Sequence, residues 1–326
     1  MDKKQDKNFN LSEGLKVLSL FDGISCGRLA LQRANIPVST YYASEICDYS
    51  MKIAKKNFPD TIEIGDVREI NVDDYKDIDI VIGGSPCQSF SFAGTMVGMA
   101  TKDKVEITTL EQYLELKEQG FEFEGYSYLF WEYVRVLKGV KPKYFLLENV
   151  KMAEKWKKVI TDALGIEPIM INSELVSAQS RERLYWTNIP NITQPKDKHI
   201  YIDDIIQTDI EHKFLPRTRL DYTNYDKSKV DKSIYKNTAT QIGNSRNFGN
   251  AVRSNGKAFT LRRINPNGVI DENYNIREFT PIEVERLQTL PDNYTLIDGI
   301  KKKERFEACG NGWTVDVIAH IFSGLR

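Results

Sequence analysis

Between residue 15 and about residue 189, short runs of β-branched, aliphatic and aromatic residues alternate with segments of helical period, and glycine, proline and asparagine punctuate the joints. The apolar runs predict strands at 16–21, 40–43, 61–64, 78–82, 144–147, 169–176 and 184–187, and the helical spacing predicts helices at 28–34, 49–57 and 129–138. Strands that alternate with helices in this way build a mainly parallel, helix-covered α/β sheet. An insertion at 95–126 interrupts the alternation and carries one helix-like stretch, 109–118.

After Pro190 the pattern changes to a polar stretch rich in Asn, Thr, Tyr and Gly, read as a smaller, loop-rich domain. Helical signals return at Thr280-Pro281-Ile282-Glu283, where threonine caps, proline takes the first turn and glutamate follows three residues after the cap. The chain closes with Gly310-Asn311-Gly312-Trp313 and an apolar helix at 315–322. The expected organisation is a catalytic and cofactor-binding domain at 1–189 completed by 306–326, a recognition domain at 190–278 and a hinge segment at 279–305.

With 326 residues, 41% of them hydrophobic, the chain can bury a substantial core. No apolar stretch approaches the ~20 residues of a membrane span, and MDKKQDKNFN is too polar for a signal peptide, so a soluble, cytoplasmic protein with no membrane partner is expected. Cysteines 26, 47, 87 and 309 and histidines 199, 212 and 320 fall at spacings that build no zinc site, and no metal is expected. A net charge of −1 argues against nucleic acid until its distribution is considered: seven Lys or Arg and no acid lie between Lys232 and Arg263.

Two strand ends carry candidate chemistry. Gly83-Gly84-Ser85-Pro86-Cys87 places a thiol where a buried strand breaks into a turn, and Glu148 places a carboxylate at the end of another. A nearby cation or helix N-terminus lowers a thiol pKa from its usual ~8.5. Arg181 and Arg183 are expected on one face of the next strand, where paired guanidiniums can hold a carbonyl oxygen, a phosphate or Glu148. Asp22, Glu45 and Asp66 close three further strands, with a glycine turn at Gly23 and Gly27; together with Cys87 and Glu148 they mark the carboxyl edge where open α/β sheets bind ligands. Glu45 has the spacing of a ribose-binding carboxylate, and Asp66 is placed to accept an adenine amino hydrogen; capping a helix is the structural alternative for each.

The ordered blocks FDGISCG, ASE, GDV, GSPCQSFS, LLENV, QSRERLYW, REFTPIEVERLQTLPDNYT and GNGWTV resemble those of the cytosine-5 DNA methyltransferases. The first block is closer to the vertebrate de novo type than to the denser glycine loop of many bacterial members. The resemblance implies a Rossmann-like methyltransferase domain that uses S-adenosyl-L-methionine, yields S-adenosyl-L-homocysteine, and methylates carbon-5 of a cytosine flipped out of duplex DNA. In that mechanism Cys87 attacks carbon-6, Glu148 holds ring nitrogen 3 and the exocyclic amine, Arg183 contacts the carbonyl oxygen, Arg181 supports the pocket and Asn149 holds the Pro86–Cys87 turn.

The cofactor would contact Phe21, Asp22, Gly23, Ile24, Gly27, Glu45, Ile46, Asp66, Val67 and Pro86, with Asn311, Trp313 and Thr314 returning from the C-terminal part. DNA would meet Gln88, Ser89 and Ser91 of a closing loop, and Arg246, Asn247, Arg253, Ser254 and Asn255 of a short recognition segment, each as base reader or phosphate contact. The implied partners are double-stranded DNA, met as a monomer, and a cognate restriction endonuclease, in a bacterial or phage-infected cell. Methylation of transfer RNA and a catalytically inactive DNA-binding relative are the alternatives.

Overall fold

The run Leu15-Lys16-Val17-Leu18-Ser19-Leu20 forms β1 (Leu15–Leu20), a central strand between β2 and β4, and its aliphatic side chains are all buried, as in a parallel sheet packed on both faces. The computed structural model describes residues 13–86, 98–208, 238–241, 252–253, 255–262, 267–270 and 276–326. The chain divides into two compact units, one of 1–171, 182–193 and 318–326, the other of 172–181 and 194–317.

In the first unit β1 is followed by α1 (Cys26–Arg33), β2 (Val38–Ser44), α2 (Asp48–Asn57), β3 (Ile62–Glu63), β4 (Ile80–Gly84), α3 (Leu110–Glu118), α4 (Phe130–Val140), β5 (Tyr144–Val150), α5 (Glu154–Leu164), β6 (Ile169–Asn172) and β7 (Glu182–Thr187). The sheet order is β3-β2-β1-β4-β5-β7-β6. The first five strands are mutually parallel, and β7 runs antiparallel to β5. The connections leave β1 and β4 in opposite directions, so the carboxyl ends of these two strands form a topological switch point.

The core beneath that edge includes Trp131, Tyr133 and Phe130 of α4 and Trp186 of β7, all fully buried. Gly83 is fixed by this packing: a Cβ there would lie 2.9 Å from the Leu20 carbonyl oxygen and 3.1 Å from the Tyr133 ring. The strand expected at 169–176 stops at Asn172, whose side-chain oxygen accepts from Glu174 N (3.2 Å) and Arg181 N (2.8 Å) and turns the chain.

The second unit contains β8 (Thr238–Gln241), β9 (Val252–Arg253), β10 (Asn267–Ile270) and β11 (Ile276–Glu278), an antiparallel sheet in the order β11-β10-β8-β9. Next come α6 (Pro281–Leu287) and α7 (Lys302–Asn311), and α8 (Val315–Phe322) carries the chain from the second unit back into the first. α6 begins with the expected reciprocal cap: Thr280 Oγ1 accepts from Glu283 N (3.1 Å), and Glu283 accepts from Thr280 N (2.8 Å). Glu283 is fully buried and also receives both terminal nitrogens of Arg277 at 2.8 Å. No described helix is long and apolar enough to cross a membrane.

Candidate active site

The turn after β1 is held in an unusual backbone conformation. Phe21, Gly23 and Ser25 all have positive φ (57°, 62° and 58°), a region that costs non-glycine residues on the order of 1–3 kcal/mol each. The Asp22 carboxylate compensates by accepting from Ser19 Oγ (2.6 Å), Ser25 Oγ (2.5 Å) and Tyr41 OH (2.7 Å). Burial pushes the Asp22 carboxyl above its usual range, against the pull of those three hydroxyls. Its side chain therefore shapes the turn. A Cβ built on Gly23 meets nothing within 4 Å among the described residues, so this backbone faces open space there.

Glu45, just past β2, receives Gly23 N (2.8 Å), Ile46 N (2.8 Å) and Cys47 N (2.9 Å). A carboxylate offers roughly four acceptor positions, so three N–H groups leave capacity for a ribose hydroxyl. Ile46 beside it is 66% exposed, an apolar face suited to a ligand ring. Asp66 caps a tight turn at Val67–Glu69, accepting from Arg68 N (2.9 Å), and its carboxylate is forked by the Arg68 guanidinium, which holds it below the usual range. The capping alternative is thus realised at Asp66. Sequence reading missed Glu63 on β3, whose carboxyl, still exposed to solvent, is pushed up to about 7 by partial desolvation and by the charges of Asp22 and Glu45, with Lys55 opposing. Only its polar position in a short strand marked it beforehand.

At the reactive edge β4 and β5 lie side by side, with Gly84 paired to Glu148 in register, three residues before Cys87. Glu148 is nearly buried, and its Oε1 lies 3.0 Å from Arg183 Nε. Arg183 reaches it from β7, where it sits opposite Val150, and also donates from Nη1 to the Glu182 carbonyl (2.8 Å). Asn149 donates to the carbonyl (3.3 Å) and hydroxyl (3.1 Å) of Ser85 and so grips the chain just before Pro86. Cys87, Gln88, Ser89 and Ser91 lie outside the described residues.

Arg181 departs from the expectation that it shares a face with Arg183. The strand begins only at Glu182, and the Arg181 guanidinium donates to the carbonyls of Leu261 (3.2 Å), Gly310 (3.2 Å) and Gly312 (3.1 Å) within the second unit. Gln288 joins it there, donating to Cys309 O (2.6 Å) and Gly312 O (3.2 Å). These bonds fix the segment that carries Asn311, Trp313 and Thr314; Thr314 is buried between Ser173 Oγ (2.9 Å) and Gln288 Oε1 (2.8 Å).

The basic stretch needs one correction. Lys257 is buried and donates to the carbonyls of Glu174 (2.7 Å), Ser177 (3.1 Å) and Ile200 (2.6 Å), so it contributes to no exposed cationic face. Asn255 is exposed and accepts from Lys257 N (3.2 Å). Arg246, Asn247 and Ser254 lie outside the described residues, and Arg253 is described only as backbone in β9.

The family model for C-5 cytosine-specific DNA methylases matches residues 15–326. Among curated proteins, the type II methyltransferase M1.ScrFI of Lactococcus lactis subsp. cremoris is 27% identical over 328 residues, covering 94% of this chain and 76% of the relative. The type II methyltransferase M.NlaX of Neisseria lactamica is 27% identical over 331 residues, covering 95% and 96%. Among solved structures, a mutant of Spodoptera frugiperda DNMT2 superposes with a TM-score of 0.64 at 17% identity, covering 96% and 99%, a likeness of fold.

Proposed function

Since this chain belongs to the C-5 cytosine-specific DNA methylase family and is a DNA (cytosine-5-)-methyltransferase, we propose that it methylates cytosine within one short duplex sequence by covalent attack of Cys87 on a flipped base. The observation that carries this reading is the Glu148–Arg183 pair on the strands beside Gly84, where the Gly-Gly-Ser-Pro-Cys segment leaves the sheet. A stacked base could not reach a carboxylate this enclosed, so the target leaves the helix.

The thiolate of Cys87 forms a bond to carbon-6, and the displaced electron pair makes carbon-5 nucleophilic. Glu148 holds nitrogen 3 and the exocyclic amine and supports the enamine form, while Arg183 orients Glu148 and contacts the carbonyl oxygen. After carbon-5 is alkylated, a base takes its proton, and the electron pair of that C–H bond restores the ring double bond as Cys87 leaves. Arg181 acts at a distance, by fixing the 310–312 segment.

The residues at the carboxyl edge fit S-adenosyl-L-methionine. The open backbone at Gly23, the remaining capacity of Glu45, the exposed Ile46 and the Asp66–Val67 turn suit its amino-acid, ribose and adenine parts. Phe21, Asp22, Ile24, Gly27, Pro86, Asn311, Trp313 and Thr314 complete the proposed set. When bound, the cofactor supplies an electrophilic methyl group and leaves as S-adenosyl-L-homocysteine. A cognate restriction endonuclease and action as a monomer on DNA belong to the same proposal.

The test is bisulfite sequencing of DNA from cells that express the chain or its Cys87→Ala variant. Resistant cytosines in one short motif, present only with Cys87, are expected. The same resistance in both samples would end the covalent mechanism, and none in either would turn attention to RNA.

A further inference from the structure

Glu132 is a charged residue with no exposed surface, on α4 and outside the reactive edge. Burial of a lone carboxylate is prohibitive, and three donors compensate it here: Tyr113 OH, Lys117 Nζ and Arg135 Nε, each at 2.6 Å. Tyr113 and Lys117 are four residues apart on α3, so one face of the insertion helix supplies both. The two remaining nitrogens of Arg135 donate to the carbonyls of Ile70 (2.9 Å) and Val67 (3.0 Å), which bracket the turn that Asp66 caps.

A second route runs through aromatic rings. Phe123 of the insertion stacks on Tyr128 with centroids 4.6 Å apart, and Tyr113 lies 5.1 Å from Phe123. Tyr128 in turn neighbours Arg68, whose guanidinium forks Asp66. The insertion therefore reaches both the backbone and the carboxylate of the same turn.

We infer that the described part of the insertion, 98–126, acting through Glu132 and Arg135, positions the Asp66–Val67 turn and thereby sets affinity for the adenine end of the cofactor. The inference rests on the proposal that this turn receives the adenine. Glu132 fixes the Arg135 rotamer; Arg135 then presents two donors in a rigid fork that lysine cannot reproduce. Tyr113 and Lys117 keep Glu132 from turning wholly toward Arg135. All four are positioning residues.

The test is calorimetric titration of the full chain with S-adenosyl-L-homocysteine, alongside KM for cofactor, KM for DNA, and kcat. Tyr113→Phe and Lys117→Met are expected to weaken binding by roughly 3- to 10-fold and Arg135→Lys by roughly 10- to 100-fold. Both kcat at saturating cofactor and KM for DNA should stay within about twofold of wild type, and the Tyr113→Phe/Arg135→Lys pair should lose less than the product of the single losses. A purely structural network would lower the melting temperature and leave the S-adenosyl-L-homocysteine affinity of Tyr113→Phe and Lys117→Met at the wild-type value; that result overturns the inference alone. Equal losses in cofactor affinity and in KM for DNA would also overturn it. No binding by the wild-type chain would instead overturn the cofactor reading on which it stands.

Discussion

Replacing Glu148 with glutamine removes one charge from the reactive edge and almost no volume. The carboxylate lies 3.0 Å from Arg183 Nε with both side chains nearly buried, a separation at which the attraction is about 5 kcal/mol for an effective dielectric of about 20. The amide oxygen can still accept from Arg183, so the net destabilisation should be about 2–4 kcal/mol, below the loss for a pair broken outright. That corresponds to a fall of roughly 5–15 °C in melting temperature. Catalysis should suffer more, because an amide cannot exchange a proton at nitrogen 3 as the enamine forms; general acid–base help of this kind contributes about 100- to 10,000-fold. Single-turnover methyl transfer, with DNA and cofactor saturating and the temperature held well below the variant's midpoint, separates the two effects. A rate within about threefold of wild type, or less than about 0.7 kcal/mol in the barrier, with a lowered melting temperature would refute the catalytic assignment and leave Glu148 a structural partner of Arg183.

Asn149→Ala removes both bonds to Ser85 and the side-chain acceptor of Val150 N, so it should cost about 1–3 kcal/mol; kcat should fall by a larger factor than KM for DNA changes, read from steady-state kinetics. Gly98 has φ 76°, and a Cβ there would lie 1.8 Å from Trp156, so Gly98→Ala should destabilise by about 2–4 kcal/mol through overlap and a left-handed backbone, visible in a thermal melt. Glu63 has its folded pKa raised to about 7, so its contribution is present below the unfolded carboxylate value and lost as pH rises through 7. Glu63→Gln should therefore melt higher than wild type at pH 8, converge with it near pH 4 and flatten the intervening slope; parallel melting curves across that range would contradict the assignment.

The elements with a clean apolar period were legible from sequence. β1, β4 and β5 emerged within a few residues because buried parallel strands are near-continuous apolar runs, and β2, VSTYYAS, through its β-branched and aromatic residues. α6 was announced by its cap. α7 was not, because Lys302-Lys303-Glu304-Arg305 gives no apolar stripe and its buried end is Glu307, Ala308, Cys309 and Gly310. α5 does carry a stripe, Trp156 and Ile160 buried on one face, but five charged residues among its eleven mask it. Side-chain partners were the least legible. Arg181 and Arg183 are two apart and chemically alike, and only tertiary structure sends one to backbone carbonyls and the other to Glu148.

The difference between those two arginines follows from strand direction. β7 enters the sheet antiparallel beside β5, so its first residues meet the last residues of β5; Arg183 faces Val150 in register and reaches Glu148 two positions back. A parallel β7 would have carried Arg183 to the opposite edge, leaving the carboxylate without this guanidinium. The reversal of a single strand thus brings a cation from a late segment to the carboxyl edge, where β1 to β5 deliver their chemistry at or near their own C-terminal ends. Arg181 precedes the strand and is free of that register, which is why its guanidinium holds the 310–312 backbone instead.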